Sequence, residues 1–200
     1  MTDYSAYTVG VLALQGAVTE HMRQIEQLGA TALAVKTVEQ LALLDGLILP
    51  GGESTAIGRL MRHYGFIEAI RDFARQRKPL FGTCAGMILL AKAIEGGEAA
   101  HLQLMDIRVQ RNAFGRQTDS FQTDLKVKGL AQPFPAVFIR APYIRHITSS
   151  AVEKLAEFNG NTVLAKQDNL LACAFHPELT DDLSIMRLFL TMIEQARPHR

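Results

Sequence analysis

A chain of 200 residues that is 48% hydrophobic and 20% charged suits one soluble domain with a sizeable core, expected to span 1–200 with its folded part at about 8–196. Lys and Arg number 21 against 20 Asp and Glu, a net charge of +1, so there is no basic excess for nucleic acid and no acidic tail. No apolar run approaches the roughly 20 residues of a membrane span, and Met1 to Thr8 lacks the basic-then-apolar pattern of a secretory signal.

The first element in chain order is the apolar run Val9 to Leu14, a strand buried on both faces as in a parallel sheet. Gln15-Gly16 breaks it. Val18, Met22, Ile25 and Gly29 then fall at helical spacing, which predicts a helix over about Thr19 to Leu28, stopped by Gly29. Thr31 to Lys36 reads as a second strand, and a short connection through Leu41 and Leu44 leads to a third at Gly46 to Leu49. That strand ends in Pro50-Gly51-Gly52-Glu53-Ser54-Thr55, where Ser54 or Thr55 is expected to cap the next helix. Ile57, Leu60, Met61 and Tyr64 form its apolar face, and Gly65 ends it. A further amphipathic helix turns Ile67, Ile70 and Ala74 inward and Arg71, Arg75 and Arg77 outward.

Pro79 to Met87 is then a buried strand running into a helix that is apolar nearly all round. Strand and helix alternate so regularly that a doubly wound, mostly parallel α/β sheet of flavodoxin-like type is expected. After about Gly96 the pattern changes. Leu104 to Val109, Phe121 to Val127 and Ala136 to Arg140 read as short strands between turn signals at Asn112, Gly115-Arg116, Lys128-Gly129, Pro133 and Pro135. Some antiparallel strands are therefore expected in this half. Val163 to Lys166 and Leu170 to Phe175 flank Asp168-Asn169 as a hairpin, and a helix from about Asp182 to Gln195 closes the chain.

The chemistry concentrates at Gly82-Thr83-Cys84-Ala85-Gly86, a nucleophile elbow with sulfur in place of oxygen. A sharp strand-to-helix turn leaves no room for side chains at its glycines. It also sets the nucleophile at a helix N-terminus, where dipole and amides favour an anion. Only two cysteines occur, Cys84 and Cys173, too few for a disulfide framework and without metal-ligand spacing. A reducing cytoplasm, which keeps a thiol available, is the expected setting.

A cysteine nucleophile needs a base, and the base an orienting acid. His176-Pro177-Glu178 is the candidate pair. In an extended segment residues i and i+2 share a side, roughly 6.6 Å apart, so Glu178 can hold one imidazole nitrogen and leave the other for Cys84. The remaining histidines, His21, His63, His101, His146 and His199, lack an acid at fixed spacing and read as surface or locally hydrogen-bonded residues. Attack on an amide creates an oxyanion, and Gly51, Gly52 and the amide of Ala85 are candidate donors to it. Gly-Gly alone equally suits a plain strand-to-helix turn. A phosphate-cradling loop fits poorly, because the G-x-x-x-x-G-K-[ST] pattern is absent. Gln15, Gly51-Gly52 and Cys84 each follow a strand's carboxyl end, so the three are expected in one cleft.

Gly82-Thr-Cys-Ala-Gly86, His176-Pro-Glu178 and Pro50-Gly-Gly52 together resemble the class I, or triad, glutamine amidotransferases. Six further segments resemble, more closely, the glutaminase subunits of two-component pyridoxal 5'-phosphate synthases: Leu12 to Ala17, Pro50 to Thr55, Arg111 to Arg116, Asp119 to Phe121, Phe138 to Pro142 and Phe175 to Leu179. The resemblance implies hydrolysis of L-glutamine to glutamate and ammonia through a glutamyl thioester, with Cys84 as nucleophile, His176 as base and acid, and Glu178 orienting it. It implies that Gly52, Glu53, Ser54, Arg111, Ile139 and Arg140 hold glutamine, and that Gln15 helps to link the site to a partner. That partner is a synthase subunit that uses the ammonia to make pyridoxal 5'-phosphate from pentose and triose phosphates. The implied assembly is a dodecameric synthase bearing up to twelve glutaminase subunits. No metal and no organic cofactor are implied for this half-reaction. A cysteine peptidase or other hydrolase on a flavodoxin-like fold, and a non-catalytic regulatory or chaperone-like module that kept the elbow, are the alternatives.

Overall fold

In the computed structural model, which describes residues 2–114 and 120–197, the predicted alternation of strand and helix is present from the first apolar run onward. β1 (Thr8–Leu12) leads into α1 (Thr19–Gln27), β2 (Thr31–Val35), a short 3-10 segment (Val38–Leu43) and β3 (Gly46–Leu49). Then come α2 (Ser54–His63), α3 (Phe66–Arg75), β4 (Leu80–Thr83) and α4 (Ala85–Leu90). Every residue of β3 and β4 is buried, as continuous apolar runs between two helical layers require. Each fully buried Leu, Ile or Phe in them contributes about 1.5–3 kcal/mol.

The second half is richer in strands than the sequence suggests. β5 (Ala91–Ile94) follows α4 directly, then β6 (Met105–Gln110), β7 (Ser120–Leu125), β8 (Phe134–Ile139), β9 (Tyr143–Ile147), β10 (Glu153–Phe158), β11 (Asn161–Gln167) and β12 (Leu170–Cys173), before α5 (Ser184–Ala196). β5, β9 and β10 carry no sequence expectation. β10 turns into β11 through Asn159 and Gly160, both at positive φ, the turn chemistry of a tight hairpin. The expected hairpin around Asp168-Asn169 is present as antiparallel β11 and β12.

The main sheet runs β2-β1-β3-β4-β12-β11-β9-β6-β5, with β10 on β11. Its first five strands are parallel; β12, β11, β9 and β6 then pair antiparallel in succession. β7 and β8 form a separate two-stranded ribbon. The chain lays β2 on one side of β1 and β3 on the other, so a crevice opens above the carboxyl ends of β1 and β3.

Several local expectations are corrected. Glu53, not Ser54 or Thr55, caps α2: its carboxylate accepts from the Thr55 and Ala56 amides, while Ser54 is buried as the first helical residue. A longer side chain at this position can reach two amides at once. Tyr64, expected inward, is 54% exposed, because Gly65 adopts a left-handed conformation and redirects the chain just after it. The inner face of α1 is His21, Gln24 and Ile25, whereas Val18 and Met22 are half-buried. The turn expected at Gly115-Arg116 and the residue Asp119 lie outside the described residues, as does His199.

Candidate active site

The elbow forms because two glycines let three backbones meet. A Cβ on Gly82 would overlap the Gly86 carbonyl, and one on Gly86 would overlap the carbonyl of Leu49 on β3. Between them Cys84 takes φ 51° and ψ −105°, a sparsely populated conformation for a non-glycine residue. The Cys84 amide donates to the Cys173 carbonyl at 2.7 Å, which ties the turn to β12. Ala85 is the first residue of α4, so its N–H has no partner within the helix.

His176 and Glu178 meet, but not in the extended geometry expected. Pro177 to Leu179 is a 3-10 turn with Pro at its first position, where a fixed φ and a missing N–H are tolerated. The turn still leaves the two side chains within reach, and His176 Nδ1 lies 2.6 Å from Glu178 Oε1. That leaves Nε2 of the ring for the thiol. Burial of the ring disfavours its charge, but hydrogen bonds to Cys84 and Glu178 outweigh this and raise the His176 pKa to about 10. Burial likewise works against the Glu178 charge, and the His176 hydrogen bond holds its carboxyl below the usual range. The His176 amide donates to the Val137 carbonyl at 2.8 Å, so the separate β7-β8 ribbon anchors this residue. Cys173, fully buried beside this group, has its thiol pushed well up by desolvation, which makes Cys84 the better nucleophile of the two.

A cavity of about 580 Å³ opens over these residues. Among its lining are Gly51, Gly52, Glu53, Ser54, Cys84, Ala85, Arg111, Ile139, Arg140, His176 and Glu178. Residues from five separate stretches of chain thus share one pocket. Gly51 packs so closely under the base that an added Cβ would lie 2.7 Å from His176 Cε1. Gly52, at φ 157°, has no room for a Cβ beside Gln15 Oε1, at 2.5 Å. Gln15 does not line the pocket; its Oε1 accepts from the Glu53 amide at 2.9 Å, and the Ala17 amide donates to the Gly51 carbonyl at 3.1 Å. The turn after β1 therefore holds the Gly-Gly turn in place. The Cys84 Sγ lies 4.0 Å from the Ile139 carbonyl, just before Arg140, which adopts φ 43°.

The Arg111 guanidinium is held at the pocket wall by two carboxylates, Glu98 at 2.6 Å and Glu53 at 3.1 Å. The sequence reading missed Glu98. It sits in exposed irregular chain after β5 with no motif around it, and only its partner reveals it. His21 was also missed as a site neighbour: it is fully buried, 3.7 Å from Glu178 Oε2.

The chain matches the SNO glutamine amidotransferase family over residues 11–195. It is 68% identical over 192 residues to "Pyridoxal 5'-phosphate synthase subunit PdxT" of Pasteurella multocida (strain Pm70), covering 96% of this chain and 100% of the relative. It is 63% identical to the protein of the same name from Niallia circulans, covering 94% of this chain and 99% of that one. A crystal structure described as a glutamine amidotransferase superposes with a TM-score of 0.89 at 47% identity, over 93% of this chain and 98% of the other. A glutamine amidotransferase from Thermotoga maritima, 12% identical, shares the fold with a TM-score of 0.61 over 95% of this chain and 90% of its own. A family match this long, on a fold whose elbow and pocket sit at the same crevice, leaves one placement: the chain belongs to the SNO glutamine amidotransferase family.

Proposed function

We propose that the chain is the glutaminase half of a pyridoxal 5'-phosphate synthase and passes ammonia to a synthase subunit. The observation that carries this is the pairing of His176 with Glu178 at 2.6 Å beside Cys84, in a pocket of about 580 Å³ with room for an amino acid. The relatives named as subunits of that synthase support the choice of partner. A dodecameric synthase core with up to twelve of these chains, in a reducing cytoplasm, is the assembly and setting proposed with it.

In this reading the Cys84 sulfur attacks the side-chain amide carbon of L-glutamine. The oxyanion that forms is met by the amides of Ala85 and the Gly51-Gly52 turn. His176, already holding a proton, gives it to the departing nitrogen, and ammonia leaves behind a glutamyl thioester. A water then attacks the thioester carbon, its proton passing to His176, and glutamate leaves as the thiolate is restored. Glu178 keeps the imidazole oriented and offsets its charge throughout. Arg111 is the cation suited to the substrate's α-carboxylate, with Glu53, Ser54, Ile139 and Arg140 completing the wall. For Arg111 to serve, Glu98 or Glu53 must yield part of its hold. Gln15 keeps the Gly-Gly turn in register near the partner-facing rim.

The test is glutamate release from glutamine by the chain mixed with a pyridoxal 5'-phosphate synthase subunit. Wild type is expected to release glutamate and to support formation of the phosphate product from sugar phosphates, while Cys84→Ala releases none. Turnover retained in Cys84→Ala would end the triad assignment, and glutamate formed with no ammonia-dependent product would end the channelling assignment.

A further inference from the structure

The acid of the triad has two carboxylate oxygens, and only one is accounted for. Glu178 Oε1 bonds the base, whereas Oε2 is buried with no hydrogen-bond partner among the described residues. A buried, unpaired carboxylate oxygen is costly. His21 Nε2, the ring nitrogen that faces it, lies 3.7 Å away, about 0.5 Å beyond the usual hydrogen-bond range.

His21 is itself 0% exposed, an unusual place for a histidine on the first turn of an ordinary amphipathic helix. Its Nε2 lies 3.2 Å from Thr83 Oγ1, on the residue just before the nucleophile. Nε2 therefore stands between a hydroxyl oxygen and a carboxylate oxygen, while Nδ1 has no partner among the described residues. A hydrogen on Nε2 can bond the Thr83 oxygen and turns a positive edge, not a lone pair, toward the carboxylate oxygen. A hydrogen on Nδ1 would bury an unpaired donor and face the Nε2 lone pair to a carboxylate. Desolvation lowers the pKa of this ring, against the pull of Glu178, so it is a neutral N–H donor. One turn further along the same face, Gln24 Nε2 donates to the carbonyls of Pro177 and Thr180, both at 2.9 Å, and so clamps the turn that carries Glu178.

We propose that His21 is a positioning residue of this site, its Nε2–H held against the second oxygen of Glu178 so that the acid stays ionised and aimed at His176. The proposal rests on the glutaminase reading above. It makes α1 a support for the triad, joining the acid's turn, the strand that ends in the nucleophile and the turn after β1.

The groups that face His21 are Glu178 and His176 from the 3-10 turn segment, Glu20 and Gln24 on its own helix, and Thr83 on β4. Three variants separate positioning from simple packing. His21→Leu keeps volume and loses the donor; His21→Asn has an amide too short to reach, and serves if the leucine variant does not fold; His21→Gln keeps an N–H at similar reach. The first readout needs no substrate: titration of the Glu178 carboxyl by NMR in the 13C-glutamate-labelled full chain. The Leu or Asn variant is expected to raise that midpoint by roughly one pH unit, and Gln to restore most of it. The second readout is glutamate release with the synthase subunit. In the Leu or Asn variant kcat is expected to fall about 10- to 100-fold with KM within about twofold, and its acid limb to move up with Glu178. A Glu178 midpoint unchanged in both donor-less variants overturns the proposal, whatever happens to activity. A wild type that makes no glutamate would sink the glutaminase reading and leave the titration result standing on its own.

Discussion

At the scale of single residues, the site is a set of charges that hold one another. His176 is kept protonated by partners on both sides of its ring, and Glu178 is kept ionised by the same bond. Glu178→Gln leaves the shape and removes the charge. In that variant the His176 midpoint is expected to drop from about 10 toward the ordinary 6.5, read by NMR of the imidazole. With the synthase subunit present, kcat/KM for glutamine should fall roughly 10²- to 10⁴-fold, since an amide neither stabilises an imidazolium nor selects the required tautomer. An unchanged His176 midpoint would mean that the pair does not titrate as a unit. Arg111 shows the same logic on the binding side. Two carboxylates hold its guanidinium at the pocket wall, so in the proposed reaction a substrate carboxylate must displace part of that hold.

At the scale of elements, the elbow depends on close approach of β3, β4 and α4. Gly86→Ala would drive a methyl group into the backbone of Leu49, which cannot rotate aside as a side chain could. The expected cost is about 1–3 kcal/mol, seen as a lower urea midpoint with an unchanged slope. Glutamate release should fall further than that loss explains, because the displaced helix carries Ala85 and the strained Cys84 with it. A variant as stable and as active as wild type would show that α4 has more freedom than its packing indicates. The loops above the sheet are coupled in the same way. The turn after β1 grips the turn after β3 through Gln15, Ala17 and Gly51, so a change at either one is felt at the other.

At the scale of the whole molecule, the parallel half carries Cys84 and the Gly51 to Ser54 side of the pocket, and the later half carries Arg111, Ile139 and Arg140 on the other side. β12 joins them: it pairs with β4 on one side and β11 on the other, then leads straight into His176. The stability of the whole chain should therefore depend on the state of this one site. The His176 pKa is raised, so its contribution is fully present below about pH 6.5 and is lost as pH rises through about 10. Glu178 is lowered, so its contribution is present above its usual value of 4.5 and is lost as pH falls through its folded value. The stability gap between wild type and His176→Gln, measured by chemical denaturation, should accordingly shrink steadily from about pH 7 to about pH 10. A gap that stays constant over that range would contradict a charged His176 in the folded chain. Among the described residues no helix is long and apolar enough to cross a membrane.

Much of this architecture is legible in the order of residues, because its signals are local. Apolar runs such as Gly46 to Leu49 and Pro79 to Phe81 can only be buried strands. Gly82-x-Cys84-x-Gly86 can form a sharp turn only with glycines, and His176 and Glu178 lie close enough in sequence to meet in an extended segment or in a turn. Other features have no local signal. Glu53 as a cap competes with Ser54 and Thr55, and only the path of the backbone decides among three capable neighbours. β5, β9 and β10 are short and mixed in polarity; they become strands because neighbouring strands offer hydrogen bonds. His21 and Gln24 break the apolar period of α1, and a period alone places such residues at the surface. Their burial follows from contacts made 62 and more residues away, with Thr83 and with the turn at Pro177. The sequence by itself determined the elbow at Cys84, the nearness of His176 to Glu178 and the wound sheet, since each rests on steric rules acting within a few residues. Only the tertiary structure decided which polar groups lie around Glu178 and which carboxylates hold Arg111, because a charge takes whatever partner the fold brings within reach.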